Sequence, residues 1–183
     1  MFCIKKIYGK RYYNLNSKDT NLGIIGMGRD RKSICRYASS IGFKINYYSR
    51  KKIFLNNSKY KYYSSIEKVI KNSDIISVHL ALNNATKKII NKRLLLKLRD
   101  KYIINTSRGD LIDEKFLYKL LKKNYILGAG LDVFVNEPTI KLSAKLRNLS
   151  NVVSTCHTSF FDKTTIEQMC KSSVDIIKKK LNK

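Results

Sequence analysis

The sequence predicts an α/β fold, a doubly wound parallel sheet, from three observations. Short apolar runs alternate with amphipathic stretches along the 183 residues, which is typical of parallel strands joined by helices. A pair of glycines, Gly26 and Gly28, ends the first apolar run. Polar residues follow the carboxyl ends of the other runs, where ligands bind in sheets of this kind. The length is sufficient for one domain with an ordinary hydrophobic core.

The strands are predicted from short apolar runs in the order in which they occur. The run DIISVHL, for example, is typical of a buried strand. The stretch 51–63 is polar and is predicted to be a loop. The predicted strands cover 22–27, 43–48, 74–80, 101–105, 129–134 and 151–154.

The first two helices are predicted from the spacing of their apolar residues and from their ends. Apolar residues at helical spacing indicate a helix over about 29–40, and Gly42 lies where a C-terminal glycine belongs. The segment from Ser64 to Glu67 has the spacing of a capping box, which predicts a short helix ending at Lys71.

Two later helices are predicted from their capping residues. Asp113 is the expected N-cap of a helix that runs to Lys123, and Asn124 is expected to end it in the left-handed conformation. A second capping box, Thr164 with Glu167, predicts the start of a C-terminal helix.

Composition argues against several classes of protein. Lys and Arg total 38 against 13 Asp and Glu, a formal charge of +25. Lys is spread along the chain beside abundant Ile, Asn and Tyr, which favours the codon bias of an AT-rich genome over a nucleic-acid-binding surface. A phosphate-seeking surface is the alternative explanation of the charge.

Membrane insertion, secretion and metal binding are not expected. No apolar run approaches the roughly 18 residues that span a bilayer, and the charged N-terminus does not resemble a signal peptide. The four cysteines have no metal-like spacing, so we expect free thiols in a reducing, cytoplasmic compartment and no metal site.

The turn after the first strand is the first candidate site. A G-x-G turn allows the backbone to approach a pyrophosphate, which rests on the N-terminus of the following helix. Arg31 occupies the position of the third glycine of G-x-G-x-x-G, and Asp30 adds a negative charge where phosphates would lie. Asp30 is alternatively an acid that stabilises the helix N-terminus. The predicted cofactor-binding residues of this turn are Gly26, Met27, Gly28, Arg29 and Asp30.

The second candidate site is Ser49-Arg50, about 21 residues beyond Gly28. An acid at this position would accept hydrogen bonds from a ribose 2′-hydroxyl, whereas Ser followed by Arg suits a 2′-phosphate. Lys51 and Lys52 would add attraction for that phosphate. In a chain so rich in Lys, a basic loop without a ligand is the alternative.

The third candidate site is an ordered set of polar residues, Arg108, Asp132, Glu137 and His157. Arg108, Asp132 and His157 fall at or just beyond the ends of predicted strands, so they are expected at one edge of the sheet. Each residue taken singly has an ordinary structural explanation, whereas the set together is typical of a catalytic site.

These motifs resemble the NAD-binding, Rossmann-type domain of the D-isomer-specific 2-hydroxyacid dehydrogenases. The resemblance covers about residues 21–183, and the segment YYSR is more similar to the NADP-using glyoxylate and hydroxypyruvate reductases of that family. The segments that carry it are LGIIGMGR (22–29), SDIISVHLALNNAT (73–86), INTSRGDLIDEKFLYKLLKKNYILGAGLDVFVNEP (104–138) and NVVSTCH (151–157).

The resemblance implies hydride transfer between NAD(P) and a 2-hydroxy or 2-oxo acid. Arg108 would hold the substrate carboxylate and polarise its carbonyl, and His157 would be the general acid/base. Glu137 would orient the His157 imidazole, and Asp132 would contact the nicotinamide carboxamide. NADP would be preferred, with NAD as the alternative. The cofactor contacts implied beyond the glycine turn are Ser49, Arg50, His79, Thr106 and Asp132.

The sequence departs from the family pattern at several positions. Cys156 replaces the usual proline before the catalytic histidine, Ser159 replaces a glycine, and Ala81 replaces a proline. Only some 20 residues precede the glycine turn, so most of the N-terminal substrate domain is expected to be missing. The expected organisation is a lead-in over 1–20, a dinucleotide-binding domain over 21–160 and a C-terminal helix over 161–183.

Two interpretations of function follow. The first is an oxidoreductase domain, expected to form a homodimer, with a separate substrate-domain chain as one explanation of the missing half. The second is a catalytically impaired nucleotide-binding interaction module, or a truncated relic of such a dehydrogenase. Binding to nucleic acid ranks last, because no nucleic-acid motif accompanies the charge.

Overall fold

The computed structural model describes residues 16–26, 31–53, 60–135, 137, 141–158 and 163–181. Its centre is one sheet of seven parallel strands, joined by helices, so the predicted fold class is confirmed. The strands are β1 Asn21–Ile25, β2 Lys44–Tyr48, β3 Tyr60–Tyr62, β4 Ile75–Val78, β5 Tyr102–Asn105, β6 Gly128–Leu131 and β7 Val152–Ser154. The helices are α1 Arg31–Ser40, α2 Ile66–Lys71, α3 Lys92–Leu95, α4 Glu114–Lys122, α5 Lys141–Arg147 and α6 Lys163–Leu181, with short 3-10 turns at Leu96–Leu98 and Gly109–Leu111.

The strand order is β3-β2-β1-β4-β5-β6-β7. The chain builds outward from β1 to β3 and then crosses back to place β4 on the other side of β1. This reversal creates a crevice at the carboxyl ends of β1 and β4, which is where ligands bind in doubly wound sheets.

The sheet buries a hydrophobic cluster on each face. Successive side chains of a strand point to opposite faces, so Ile24 joins the smaller cluster while Ile25 joins the larger one. The smaller cluster includes Cys35 of α1 and Ile45 of β2. None of the helices in the described part of the chain is long and apolar enough to cross a membrane.

The prediction of a loop over 51–63 is wrong at its end, because β3 lies there. This strand is short and polar, and it pairs with β2 at the edge of the sheet. The Tyr60 hydroxyl shares a hydrogen bond of 3.0 Å with Ser39, and the Tyr62 ring lies 5.5 Å from that of Tyr47. Tertiary contacts of the two tyrosines therefore stabilise a strand that its local sequence does not indicate.

The predicted helices are present, and two of their starts are corrected. Ser65 caps α2 by accepting a hydrogen bond from the Lys68 amide, so the expected capping box from Ser64 to Glu67 does not form. Glu67 instead lies 3.0 Å from both Arg93 and Lys97, and the hydrogen bond from Lys97 lowers the pKa of its carboxyl, with Arg93 adding to the effect.

The second corrected start is that of the C-terminal helix. This helix begins at Lys163, which places Thr164 inside it and not at its cap. The first helix begins at Arg31, and the residues 27–30 that precede it lie outside the described part of the chain.

Three predictions about where helices start or stop are confirmed, one by a hydrogen bond and two by backbone angles. Asp113 accepts a hydrogen bond of 3.1 Å from the Phe116 amide and caps α4. Asn124 ends the same helix with φ +53°, and Gly42 follows α1 with φ +110°. The helices α3 and α5 were not expected from the sequence, and α3 begins at an Asn91 cap.

Candidate active site

The imidazole of His157 and the carboxylate of Glu137 are hydrogen-bonded to each other beyond the carboxyl end of β7. Nδ1 of His157 lies 2.7 Å from Oε2 of Glu137. Both side chains are partly exposed, 38% for His157 and 33% for Glu137, so a ligand can reach them. A carboxylate bound to one ring nitrogen fixes the orientation of the imidazole.

Asp132 holds the loop that carries His157. Its backbone carbonyl accepts the His157 amide at 2.9 Å, and its Oδ1 accepts the Thr158 amide at 3.0 Å. The Thr155 hydroxyl donates to the same oxygen. Asp132 is 5% exposed, so these hydrogen bonds form in a buried environment where they are strong.

The loop conformation at His157 is unusual for a residue with a side chain. His157 has φ +54°, in the left-handed region that non-glycine residues rarely adopt. Such a conformation costs about 1–3 kcal/mol and persists where neighbouring contacts impose it. The hydrogen bonds to Asp132 on both sides of His157 are those contacts.

The turn that carries Glu137 is held by two carboxylates. Oε1 of Glu137 accepts the Phe134 amide, and Oε2 of Glu114 accepts the next amide, that of Val135, at 2.7 Å. Glu114 is the first residue of α4 and is 7% exposed. The position of the Glu137 carboxylate therefore depends on a helix that begins 23 residues earlier in the sequence.

Arg108 lies in a separate turn after β5. The buried Asn105 side chain donates to the Arg108 carbonyl at 2.9 Å and accepts the Ser107 amide at 3.1 Å. The Arg108 guanidinium is exposed and donates to the Ser107 carbonyl at 2.6 Å. A rigid turn with an exposed guanidinium is suited to bind a carboxylate from solvent.

Gly109 joins this turn to the one that carries Glu137. A Cβ at Gly109 would lie 2.1 Å from the carbonyl carbon of Phe134 and 2.4 Å from the Val135 nitrogen. Only glycine permits this approach, which packs the Arg108 turn directly against the Glu137 turn.

The nucleotide side of the site begins at Gly26. This residue follows β1 with φ +97°, and a Cβ there would meet the His79 carbonyl oxygen at 2.5 Å. The turn is thus a glycine turn at the crevice of the sheet, which fits a dinucleotide. The other predicted residues of the turn, Met27, Gly28, Arg29 and Asp30, lie outside the described part of the chain.

The remaining predicted cofactor contacts differ in exposure. Ser49 is buried, and its hydroxyl donates to the Lys51 carbonyl at 2.5 Å, which shapes the turn after β2. Arg50 in that turn is exposed, and so is Thr106 after β5. His79 is buried, and its Nε2 shares a hydrogen bond of 2.8 Å with the Ser77 hydroxyl.

The structure thus brings together part of the predicted set. Glu137, His157 and Asp132 are directly hydrogen-bonded neighbours, whereas Ser49 and Arg50 lie across the sheet at the end of β2. Among the described residues, no group of His, Cys, Asp and Glu could hold a metal ion.

Glu114, Asn105 and Thr155 support the site, and sequence reasoning did not identify them. Glu114 and Asn105 stand inside the segment that carried the family resemblance, and Thr155 stands inside NVVSTCH, but their spacing indicates no shared task. The partners of these side chains are amides and carboxylates that the fold brings close. The local sequence pattern therefore does not predict these hydrogen bonds.

The fold and the site together define a nucleotide-binding α/β domain that carries a hydrogen-bonded imidazole–carboxylate pair. Residues 5–159 match the family model described as the D-isomer specific 2-hydroxyacid dehydrogenase, NAD binding domain. The chain belongs to this family and is its NAD-binding domain. The match begins within the segment expected to be a lead-in.

Individual relatives agree with this assignment. The chain is 38% identical over 153 residues to a glyoxylate reductase of Korarchaeum cryptofilum, covering 82% of this chain and 46% of the relative. A D-lactate dehydrogenase of Aquifex aeolicus, complexed with NAD and lactic acid, superposes with a TM-score of 0.84 at 26% identity, covering 91% of this chain and 55% of the other.

An acyclic imino acid reductase in complex with NADPH and D-Arg superposes with a TM-score of 0.78 at 30% identity, over 91% of this chain and 52% of the other. The chain therefore spans about half the length of the relatives it matches.

Proposed function

We propose that this chain is the nucleotide-binding half of an oxidoreductase that interconverts a 2-oxo acid and a 2-hydroxy acid. The observation that carries the proposal is the 2.7 Å hydrogen bond between His157 and Glu137, in a loop with strained backbone at His157. A module that bound nucleotide without turnover would gain nothing from holding an imidazole in this costly conformation.

The proposed roles follow from the geometry. The exposed Arg108 guanidinium binds the carboxylate of the acid, and Nε2 of His157 exchanges a proton with the oxygen on its second carbon. In reduction His157 gives the proton, and in oxidation it receives it. Glu137 keeps the ring oriented through its hydrogen bond to Nδ1. The nicotinamide, when bound, supplies or accepts the hydride.

The residues beside the glycine turn fit the dinucleotide. Gly26 and the exposed Arg50 lie at the ends of the adjacent strands β1 and β2. Lys51 and Lys52 beside Arg50 are also exposed. A ribose 2′-phosphate would meet three cations there, whereas a 2′-hydroxyl would meet no carboxylate at the Ser49 position, so we infer a preference for NADPH. The similar structures include complexes of both cofactors, NADPH in the imino acid reductase and NAD in the D-lactate dehydrogenase, so the inference rests on the residues after β2.

A fluorescence titration with NADPH and, separately, NADH tests the cofactor proposal. Arg50→Ala is expected to weaken NADPH by about 1–3 kcal/mol, the value of a charged hydrogen bond, and to leave NADH nearly unchanged. Arg99→Ala is a matched control, because Arg99 is also exposed and precedes β5, at the amino end of that strand, whereas Arg50 follows the carboxyl end of β2. Equal losses for both cofactors in Arg50→Ala would contradict the proposal.

NADPH oxidation with glyoxylate or hydroxypyruvate tests the catalytic proposal. His157→Asn is expected to reduce turnover by about 10²–10⁴-fold, the usual contribution of a general acid, while NADPH affinity is retained. Saturable NADPH binding without turnover by the wild-type chain would instead support a nucleotide-binding interaction module.

The same turnover assay tests whether a substrate domain is needed for activity. We propose that the chain forms a homodimer and that a substrate domain completes the cleft; the matched relatives are about twice as long as this chain. Light scattering after size exclusion measures the first claim, and a gain of turnover on adding the substrate domain of a relative measures the second. We also propose a reducing, cytoplasmic location, which the free thiols of Cys35, Cys156 and Cys170 support.

A further inference from the structure

Glu114 is a buried carboxylate to which the proposed reaction assigns no task. It is 7% exposed and stands at the first position of α4, where free backbone amides of the helix favour negative charge. Its Oε2 accepts the amide of Val135 at 2.7 Å. Burying a charged carboxylate costs free energy unless hydrogen bonds compensate for the lost water. The burial of Glu114 beside the Glu137 turn therefore needs an explanation.

The contact connects to the proposed general acid/base through the Glu137 turn. The Phe134 amide donates to Oε1 of Glu137, and the following amide, that of Val135, donates to Glu114. The other oxygen of Glu137, Oε2, binds Nδ1 of His157 at 2.7 Å. Two adjacent amides of one turn are therefore fixed by two carboxylates, one of which orients the imidazole.

The turn has no room to shift toward the Arg108 side. The Cα of Gly109 is so close that a Cβ there would lie 2.3 Å from the Phe134 carbonyl oxygen. Glu114 holds the Val135 amide in place while Gly109 blocks one direction of movement. The peptide between Phe134 and Val135 thus has one defined orientation, and so does the carboxylate that Phe134 binds.

We propose that Glu114 is a positioning residue that sets the Glu137 carboxylate and, through it, the tautomer of His157. With Glu114 in place, Glu137 accepts the proton of Nδ1, and the lone pair of the neutral ring lies on Nε2. The proposal rests on the proposed function for its significance, because a fixed tautomer serves proton transfer at Nε2.

The competing explanation is that Glu114 only stabilises the start of α4. Asp113 already caps this helix by accepting the Phe116 amide at 3.1 Å, so a control residue for helix stability stands next to Glu114. Asp113→Ala removes the cap and leaves the bond between Glu114 and Val135 in place. If Glu114 is a positioning residue, Glu114→Ala changes the His157 tautomer and Asp113→Ala does not. If Glu114 only stabilises the helix start, both variants lower stability and neither changes the tautomer selectively.

The experiment is imidazole ¹⁵N NMR on the labelled full chain at alkaline pH, where the rings are neutral. The chain has only two histidines, so the resonances missing from His157→Asn identify His157. Glu137→Gln gives the reference spectrum for an imidazole without its carboxylate. Folding of each variant is checked by circular dichroism.

Glu114→Ala is expected to shift the His157 resonances from the Nδ1–H tautomer toward the Glu137→Gln spectrum. Glu114→Gln retains an oxygen acceptor and is expected to restore most of the wild-type spectrum. Amide exchange at Val135 is expected to rise by about tenfold in Glu114→Ala, as for loss of a hydrogen bond to a charged group. Asp113→Ala is expected to lower the unfolding temperature and leave the His157 spectrum unchanged.

A folded Glu114→Ala chain with a wild-type His157 spectrum would overturn the proposal, and so would an equal shift in Asp113→Ala. If Glu114→Ala does not fold, Glu114→Asp replaces it, because its carboxylate is one methylene too short to reach Val135. The spectra need neither cofactor nor turnover. A chain that binds no NADPH and yet shows the Glu114 effect would refute the proposed function alone.

Discussion

Gly109 is the point at which the Arg108 turn packs against the backbone of the Glu137 turn. Its replacement by alanine tests whether this close packing stabilises the chain. A Cβ at Gly109 would lie 2.1 Å from the Phe134 carbonyl carbon, whereas carbon atoms in contact are about 3.5 Å apart. In Gly109→Ala the Phe134–Val135 backbone must therefore move by roughly 1.4 Å. Such a movement breaks the amide bonds to Glu137 and Glu114.

The expected cost combines two effects. Overpacking costs about 1–3 kcal/mol, and each of the two orphaned buried amides costs about 1–3 kcal/mol, so we expect a loss of about 3–9 kcal/mol. For a chain of this size the loss corresponds to a fall in Tm of roughly 6–36 °C. Gly109 has no positive φ, so the loss measures the close approach and not backbone strain.

Gly130→Ala is the matched control, because a Cβ at Gly130 of β6 would meet Ile104 at an ordinary 3.7 Å. This substitution is expected to change stability by less than about 1 kcal/mol. The assay is urea unfolding of both variants at 25 °C, followed by circular dichroism. A Gly109→Ala chain within about 0.5 kcal/mol of the wild type would refute the reasoning, and so would equal losses in the two variants.

Three further predictions test other parts of the structure. Asp132→Ala is expected to lower the free energy of unfolding by about 2–5 kcal/mol, because it orphans the Thr158 amide and frees the strained loop. Burial raises the pKa of the Cys35 thiol to about 11, so at pH 8 only about one molecule in a thousand is thiolate, and iodoacetamide is expected to modify the exposed Cys156 before Cys35. Asn124→Gly is expected to stabilise the chain by up to about 1 kcal/mol, because φ is +53° there.

Each of these has a result that would contradict it. Wild-type unfolding in Asp132→Ala would show that its hydrogen bonds do not hold the His157 loop. Peptide mass spectrometry that found Cys35 alkylated as fast as Cys156 in the folded chain would contradict the burial of Cys35. A destabilised Asn124→Gly would show that the Asn124 side chain contributes more than its backbone conformation costs.

Local patterns predicted most of the elements because they report local physics. Asp113 and Asn124 bound α4 as expected, since capping and left-handed termination depend on a few adjacent residues. The short apolar runs likewise correspond to buried strands of the sheet. The polar strand β3 was missed, because its partners Tyr47 and Ser39 are distant in sequence.

The candidate site divides in the same way. Arg108, Glu137 and His157 were predicted from motifs, and the structure confirms the bond between Glu137 and His157. The roles of the individual site residues stay predictions, including the contact of Asp132 with the nicotinamide. What the structure adds for Asp132 is its bonding to Thr158 beside the imidazole.

By itself, the sequence determined the parallel α/β class, the ends of α4 and the identity of the residues with chemistry to offer. Only the tertiary structure decided that Glu114 meets Val135, 21 residues away, and that Gly109 leaves no space beside Phe134. The physical reason is range. Periodicity and capping act within one or two turns of chain, whereas the orientation of the imidazole depends on hydrogen bonds and steric limits that exist only after β5, β6 and β7 have paired.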